Sequence, residues 1–140
     1  MPNRRLLATL TIALLAALLA VLTVAVLAGG GNDATPAERV RSVVTRFGEA
    51  SAEKDYQEIC DVLLAQALVD NVEEYGLPCE IALKQGLGNV KEPRLTIGAV
   101  IVKGDRASAR VKTTAASQFG STDTLELRLV DDEWRIAALG

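Results

Sequence analysis

The sequence predicts an α+β domain in which N-terminal helices cover one face of a curved antiparallel sheet. A helix-capping sequence opens the domain at Thr35, and apolar residues then recur with helical spacing as far as about Gln85. From Arg94 onward, apolar and polar residues alternate with the period of a β-strand. Helices followed by hairpin-connected strands are typical of the α+β class. One transmembrane or signal helix is expected in front of the domain.

That N-terminal segment, Leu6–Ala28, is an uncharged apolar run of 23 residues that follows Arg4 and Arg5. At about 1.5 Å per residue, a helix of this length crosses a hydrocarbon core of about 30 Å. We therefore expect a single-pass anchor in the cell membrane, and the two arginines orient the C-terminal domain to the outside. Cleavage near Ala28 is the alternative, because Ala28 and Gly29 are small, and it would release a secreted domain.

The chain divides into three parts by composition: a signal anchor or signal peptide at residues 1–28, a glycine-rich linker at 29–34, and one domain at 35–140. About a hundred residues suffice for one hydrophobic core. Without Arg4 and Arg5 there are 13 basic and 18 acidic residues, a net charge of −5. This charge argues against a nucleic-acid partner and against docking of the domain on anionic lipid, so membrane contact is expected only through residues 6–28.

Three helices are expected in the first half of the domain. Residues 35–38 have the pattern of a capping box with proline at the first helical position, and the helix that they begin ends near Glu53. A second helix is expected from about Tyr56 to Tyr75. A third runs from about Pro78 to Gln85, where glycines end the helical half.

Four strands are expected in the second half. Residues 95–101 and 107–113 alternate on either side of a Gly104-Asp105 turn, which predicts a hairpin. A flexible connection is expected over residues 115–122. Alternation resumes over residues 124–129, with Glu126 and Arg128 on the solvated face, and an acidic turn leads to a last strand at 134–138.

The end of the domain resembles the NTF2-like superfamily. In Leu-Glu-Leu-Arg-Leu-Val-Asp-Asp-Glu-Trp-Arg-Ile, residues 125–136, an alternating strand is followed by an acidic turn and a Trp-Arg-Ile step, as is common in that superfamily. The Gly104-Asp105 turn and the Asp55-Tyr56 start of the second helix also fit. The resemblance covers residues 35–140 and implies a cone-shaped domain, closest to small exported or membrane-anchored members. Functions in the superfamily range from isomerases and dehydratases to non-catalytic binding or dimerisation modules.

Three residues are candidates for lining a pocket. The resemblance implies that Asp55 and Tyr56 lie where related enzymes have pocket residues, and Trp134 offers an aromatic surface for a ligand. Each also has a purely structural interpretation. Asp55 is a suitable helix N-cap, Tyr56 an aromatic at the edge of the core, and Trp134 a core residue.

Cys60 and Cys79 are the only cysteines, and an exported domain favours a disulfide between them. Two buried free thiols are the alternative. A metal site is not expected, because the chain has no histidine and zinc needs about four ligands.

Because the chain has no histidine, a general base would have to be a carboxylate, a Tyr or a Lys whose pKa the fold shifts toward neutrality. The leading expectation is a non-catalytic, extracytoplasmic module that binds an envelope protein or dimerises through its open sheet face. One alternative is a small-molecule binding domain that uses the interior of the cone. A second is an isomerase- or hydrolase-like enzyme with Asp55 as base. No cofactor is expected.

Overall fold

A computed structural model of the chain describes residues 33–140. The predicted anchor at residues 6–28 and the linker up to residue 32 lie outside the described residues. Among residues 33–140, no helix combines the length and the apolar character needed to cross a bilayer. Ala34–Gly140 forms one structural unit.

Helices precede strands throughout this unit, as the sequence predicts. The helical half contains α1 (Pro36–Glu53), α2 (Tyr56–Glu58), a π-helical segment (Ile59–Leu63), α3 (Gln66–Glu73) and α4 (Cys79–Leu87). The sheet contains β1 (Arg94–Lys103), β2 (Arg106–Ala115), β3 (Gln118–Val130) and β4 (Glu133–Leu139).

The predicted capping box at the start of α1 is confirmed. The Glu38 N–H donates to the Thr35 Oγ at 3.3 Å, and the Thr35 N–H donates to the Glu38 carboxylate at 2.7 Å. The backbone and side-chain hydrogen bonds from Thr35 lower the pKa of Glu38. Because the folded pKa is depressed, this stabilisation is complete above the usual carboxylate pKa and is lost as the pH falls through the lowered value.

The prediction of one second helix from Tyr56 to Tyr75 is wrong, because the chain leaves the helix at Leu64. The π-helical segment ends there with a hydrogen bond from the Leu64 N–H to the Ile59 carbonyl at 2.9 Å. Leu64 is extended and forms a parallel bridge with Ile136 of β4, and the Ala65 N–H donates to the Ile136 carbonyl at 2.8 Å. A backbone connection to the sheet therefore interrupts the helix.

The four strands form one antiparallel sheet in the order β1-β2-β3-β4. Gly104, with a φ of 61°, lies in the predicted turn between β1 and β2, and Asp131 and Asp132, with φ of 48° and 63°, form the turn between β3 and β4. The expected flexible connection at 115–122 is not observed. Instead Ala116 and Ser117 make a tight turn, and β3 already begins at Gln118.

α1 packs against β1, β4 and the π-helical segment. Gly48 makes the approach to β1 possible, because a Cβ there would lie 3.1 Å from the Leu95 Cβ. The core lies between the helices and the inner face of the sheet, and none of its buried residues is polar or charged within residues 33–140. Its fully buried large side chains are those of Val40, Val44, Ile59, Leu63, Val111, Leu127 and Ile136.

Candidate functional site

Asp55, the candidate base, is an exposed helix N-cap. Its carboxylate accepts a hydrogen bond from the Glu58 N–H at 3.0 Å, which satisfies an amide of the first turn of α2. Asp55 lines a polar surface groove together with Arg46 and Glu58, which form an ion pair with each other. The side chain is thus engaged in starting the helix and faces solvent.

Tyr56 and Trp134 contribute mainly to packing. Tyr56 is half-buried against the core, and Trp134 is 4% exposed. The Tyr56 hydroxyl and the Trp134 indole N–H are both buried without a hydrogen-bond partner among the described residues. Trp134 lines a shallow groove with Arg39, Arg46 and Glu133 among others, which is not the groove that Asp55 lines. The three candidates therefore do not share one of these grooves.

The predicted disulfide is confirmed between Cys60 and Cys79, with a Cα–Cα distance of 6.1 Å. It joins the π-helical segment to the first residue of α4. Both cysteines are buried, so the bond lies within the core at the helical side of the domain. Among residues 33–140, no group of three or more His, Cys, Asp or Glu side chains is placed to hold a metal ion.

The centre of the domain, between the helices and the inner face of the sheet, is occupied by buried side chains. Ile59, Leu127 and Ile136 each expose 1% of their surface or less. Among the surface clefts of residues 33–140 is a half-open, mostly apolar one of about 260 Å³ at one end of the sheet, between the C-terminal half of α1 and the ends of β1, β2 and β3. Its apolar lining consists of Phe47, Leu87, Val90, Pro93, Leu95, Ala115 and the fully exposed Phe119.

The outer face of the sheet is rich in exposed or half-exposed cations. Alternation along each strand turns one set of side chains to the core and the other to solvent. Within residues 33–140 the ion pairs are Arg46–Glu58 and Arg135–Glu133, so one of the outward cations is paired. The outward charges are Arg94, Lys103, Arg106, Arg110, Lys112, Arg128 and Arg135, against Glu126 and Glu133.

Sequence reasoning placed Glu126 and Arg128 on this face but missed which residues lie opposite them. Arg128 faces Arg106 on one side and Arg135 on the other, and Glu126 faces Ser108 and Ala138. A signal was present in β2, where Arg106, Arg110 and Lys112 all occupy positions of one parity. The registers of the two hairpins were needed to bring these side chains into rows.

Comparisons with known proteins give the fold. No protein-family profile and no curated protein matches the sequence. Among solved structures, an NTF2-like protein of unknown function from Shewanella baltica is similar, with a TM-score of 0.53 and 22% identity over 72% of this chain and 87% of that chain. An NTF2-like family member from Streptomyces avermitilis, described as a proposed dehydratase, has a TM-score of 0.53 and 18% identity over 73% of this chain and 91% of that chain.

A de novo designed NTF2-fold protein is also similar, with a TM-score of 0.52 and 16% identity over 74% of this chain and 85% of the designed one. Its likeness indicates a shared backbone arrangement, since fold and activity are separable. The helices and the four-stranded antiparallel sheet of this chain align with these structures over 72–74% of its length. The chain therefore has an NTF2-like fold.

Proposed function

We propose that this protein is a non-catalytic interaction module, tethered to the outer side of the cell membrane by residues 6–28, that binds a partner protein through the outer face of its sheet. The observation that carries the proposal is the outer face itself. It presents seven cations, of which Arg135 alone is ion-paired within residues 33–140. Ile101 and Val130, which are 54% and 43% exposed, lie on the same face.

The inner face supports the same proposal. Side chains occupy the centre of the cone, and the most plausible base, Asp55, caps a helix at the surface. A carboxylate that acts as a general base usually lies in an at least partly buried site, whereas Asp55 is exposed. Recognition would then fall to the exposed surface, which carries arginine, a residue type enriched at protein interfaces.

Site-specific photo-crosslinking in the producing cells tests this function. A photoreactive amino acid at Thr124, in the middle of the outer face, is expected to give a discrete protein adduct of higher mass. The matched control is the same amino acid at Gln85, which is exposed on α4, and no adduct is expected there. An adduct from Gln85 alone, or none from either position, would reject the outer face as the interaction surface.

The apolar cleft at the end of the sheet supports a second candidate function, binding of a small apolar molecule. Its volume of about 260 Å³ and its apolar lining suit a ligand smaller than most drugs. Native mass spectrometry of the full chain is then expected to show extra mass that is lost on denaturation. Phe119→Ser should remove that mass, whereas Tyr75→Ser, at an exposed aromatic that does not line the cleft, should retain it. A clean protein mass for the unmodified chain would eliminate this candidate.

A further inference from the structure

The most unusual feature of the outer face is a row of four cations that crosses the whole sheet. Lys103 of β1 is the register partner of Arg106 of β2, Arg106 that of Arg128 of β3, and Arg128 that of Arg135 of β4. Neighbouring strands lie about 4.8 Å apart, so the row spans about 14 Å. We call Lys103, Arg106, Arg128 and Arg135 the cationic row.

The fold itself does little to neutralise the cationic row. Like charges directly opposite each other on a sheet are destabilising. Arg135 bonds to the Glu133 carboxylate at 2.8 Å and to the Asp61 carbonyl at 3.1 Å, but Lys103, Arg106 and Arg128 have no ion pair within residues 33–140.

The chain does not lack acidic residues that could have served as partners. Residues 33–93 contain 12 acidic and 6 basic residues, so the helical half is the acidic part of the domain. Three of the four cations of the row have no ion pair within residues 33–140, which is explained if their partners come from another molecule.

We infer that the cationic row is the docking site for an acidic surface segment of a partner protein. This inference rests on the proposed function and names the chemistry of the partner. Ile101 on β1 and Val130 on β3 flank the row and are exposed, so the face offers apolar surface beside arginine, a residue type enriched at protein interfaces. A guanidinium group also pairs with a carboxylate through two parallel hydrogen bonds, which suits an acidic protein segment.

The surroundings of the row disfavour a continuous polyanion. Asp105, Asp131 and Asp132 lie in the two turns at the same end of the sheet as the row. A lipid headgroup layer or a nucleic-acid backbone would bring its phosphates close to these carboxylates and to the acidic helical half. A protein segment can match the pattern of positive and negative charges locally.

The same row also disfavours a dimer formed by pairing two outer faces. A two-fold axis through this face would bring the cations of one copy toward those of its partner, with only Glu126 and Glu133 on each face to offset them. A second copy fits better with its acidic helical half against the row, and that arrangement is one outcome of the test below.

Binding of defined anionic probes to the full chain in neutral detergent tests the inference. The probes are a short labelled peptide in which Glu alternates with Thr, the same peptide with Gln in place of Glu, a short oligodeoxythymidine, and phosphatidylglycerol vesicles. We expect the Glu peptide to bind at least about tenfold more tightly than the Gln peptide, and its affinity to fall as salt rises. The Glu peptide is also expected to bind more tightly than either phosphate-bearing probe.

Arg128→Glu is the decisive variant, because it removes the central cation without threatening the fold. The new carboxylate would face Arg106 and Arg135, so the midpoint of thermal unfolding should stay the same or rise. Affinity for the Glu peptide should fall at least about tenfold. Lys91→Glu changes the net charge equally at an exposed position before β1 and should alter the affinity less than about twofold.

Several results would overturn the inference. Equal weakening by Lys91→Glu, or tighter binding of oligodeoxythymidine or vesicles than of the Glu peptide, would show a general response to negative charge. Concentration-dependent self-association that Arg128→Glu abolishes would identify a second copy as the occupant. If crosslinking from Thr124 succeeds but Arg128→Glu leaves the adduct unchanged, the interaction surface stands and the acidic partner is rejected, so the two proposals fail separately.

Discussion

Replacing both Cys60 and Cys79 by alanine is expected to lower the free energy of unfolding by about 3 kcal/mol. The disulfide closes a loop with a sequence separation of 19, and cross-linking a loop of that length removes about this much conformational freedom from the unfolded chain. Both side chains are buried, so their truncation adds a smaller packing loss. In a domain of this size, about 3 kcal/mol is a large fraction of the total stability.

Chemical unfolding followed by tryptophan fluorescence measures this loss. Trp134 is the only tryptophan of the chain and is buried, so its emission reports on the unfolding of this domain. A thiol reductant should destabilise the unmodified protein by nearly the same amount and leave the double variant unaffected. If the reductant does not change the unfolding midpoint of the unmodified protein, the disulfide has no share in its stability.

Elements whose boundaries depend on neighbouring residues could be predicted from the sequence. The capping box at Thr35 predicted where α1 begins, and alternation predicted the hairpin around Gly104 and the inward side of β2. In β1 a bulge between Ile97 and Val100 interrupts the expected alternation of residues 95–101, so Ile101 lies on the outer face. The prediction of one continuous second helix was wrong for a physical reason. Apolar spacing continues through Leu64, but a backbone bridge to Ile136 diverts the chain there, and no local pattern reports a partner 72 residues away.

The candidate site was predicted less well than the fold. Asp55 and Trp134 were singled out by residue type and by resemblance, whereas the structure gives them an N-cap and a core position. The cationic row depends on the registers of three strand pairs. Alternation places Arg128 on the outer face, but only the turns at 116–117 and 131–132 set Arg106 and Arg135 opposite it, and the turn at 104–105 sets Lys103 opposite Arg106.

Ile136→Ala is expected to cause a loss of stability comparable to or larger than that of the disulfide variant, about 2–5 kcal/mol. The Ile136 side chain is fully buried and belongs to the same core as Ile59, Leu63 and Leu127. Its backbone also holds the break in the helical half through the bridge to Leu64, so β4 and the π-helical segment cannot easily move to fill the cavity.

Leu139→Ala is the matched control, because Leu139 lies in the same strand and is 49% exposed. Unfolding followed by Trp134 fluorescence should show a loss of less than about 1 kcal/mol for Leu139→Ala. Equal losses for the two variants would contradict a core centred on Ile136.

The π-helical segment carries both Cys60 and the contact to β4, so Ile136→Ala should also make the disulfide-reduced protein unfold at least in part without denaturant. The disulfide at Cys60 and the bridge from Leu64 to Ile136 thus both restrain this part of the chain.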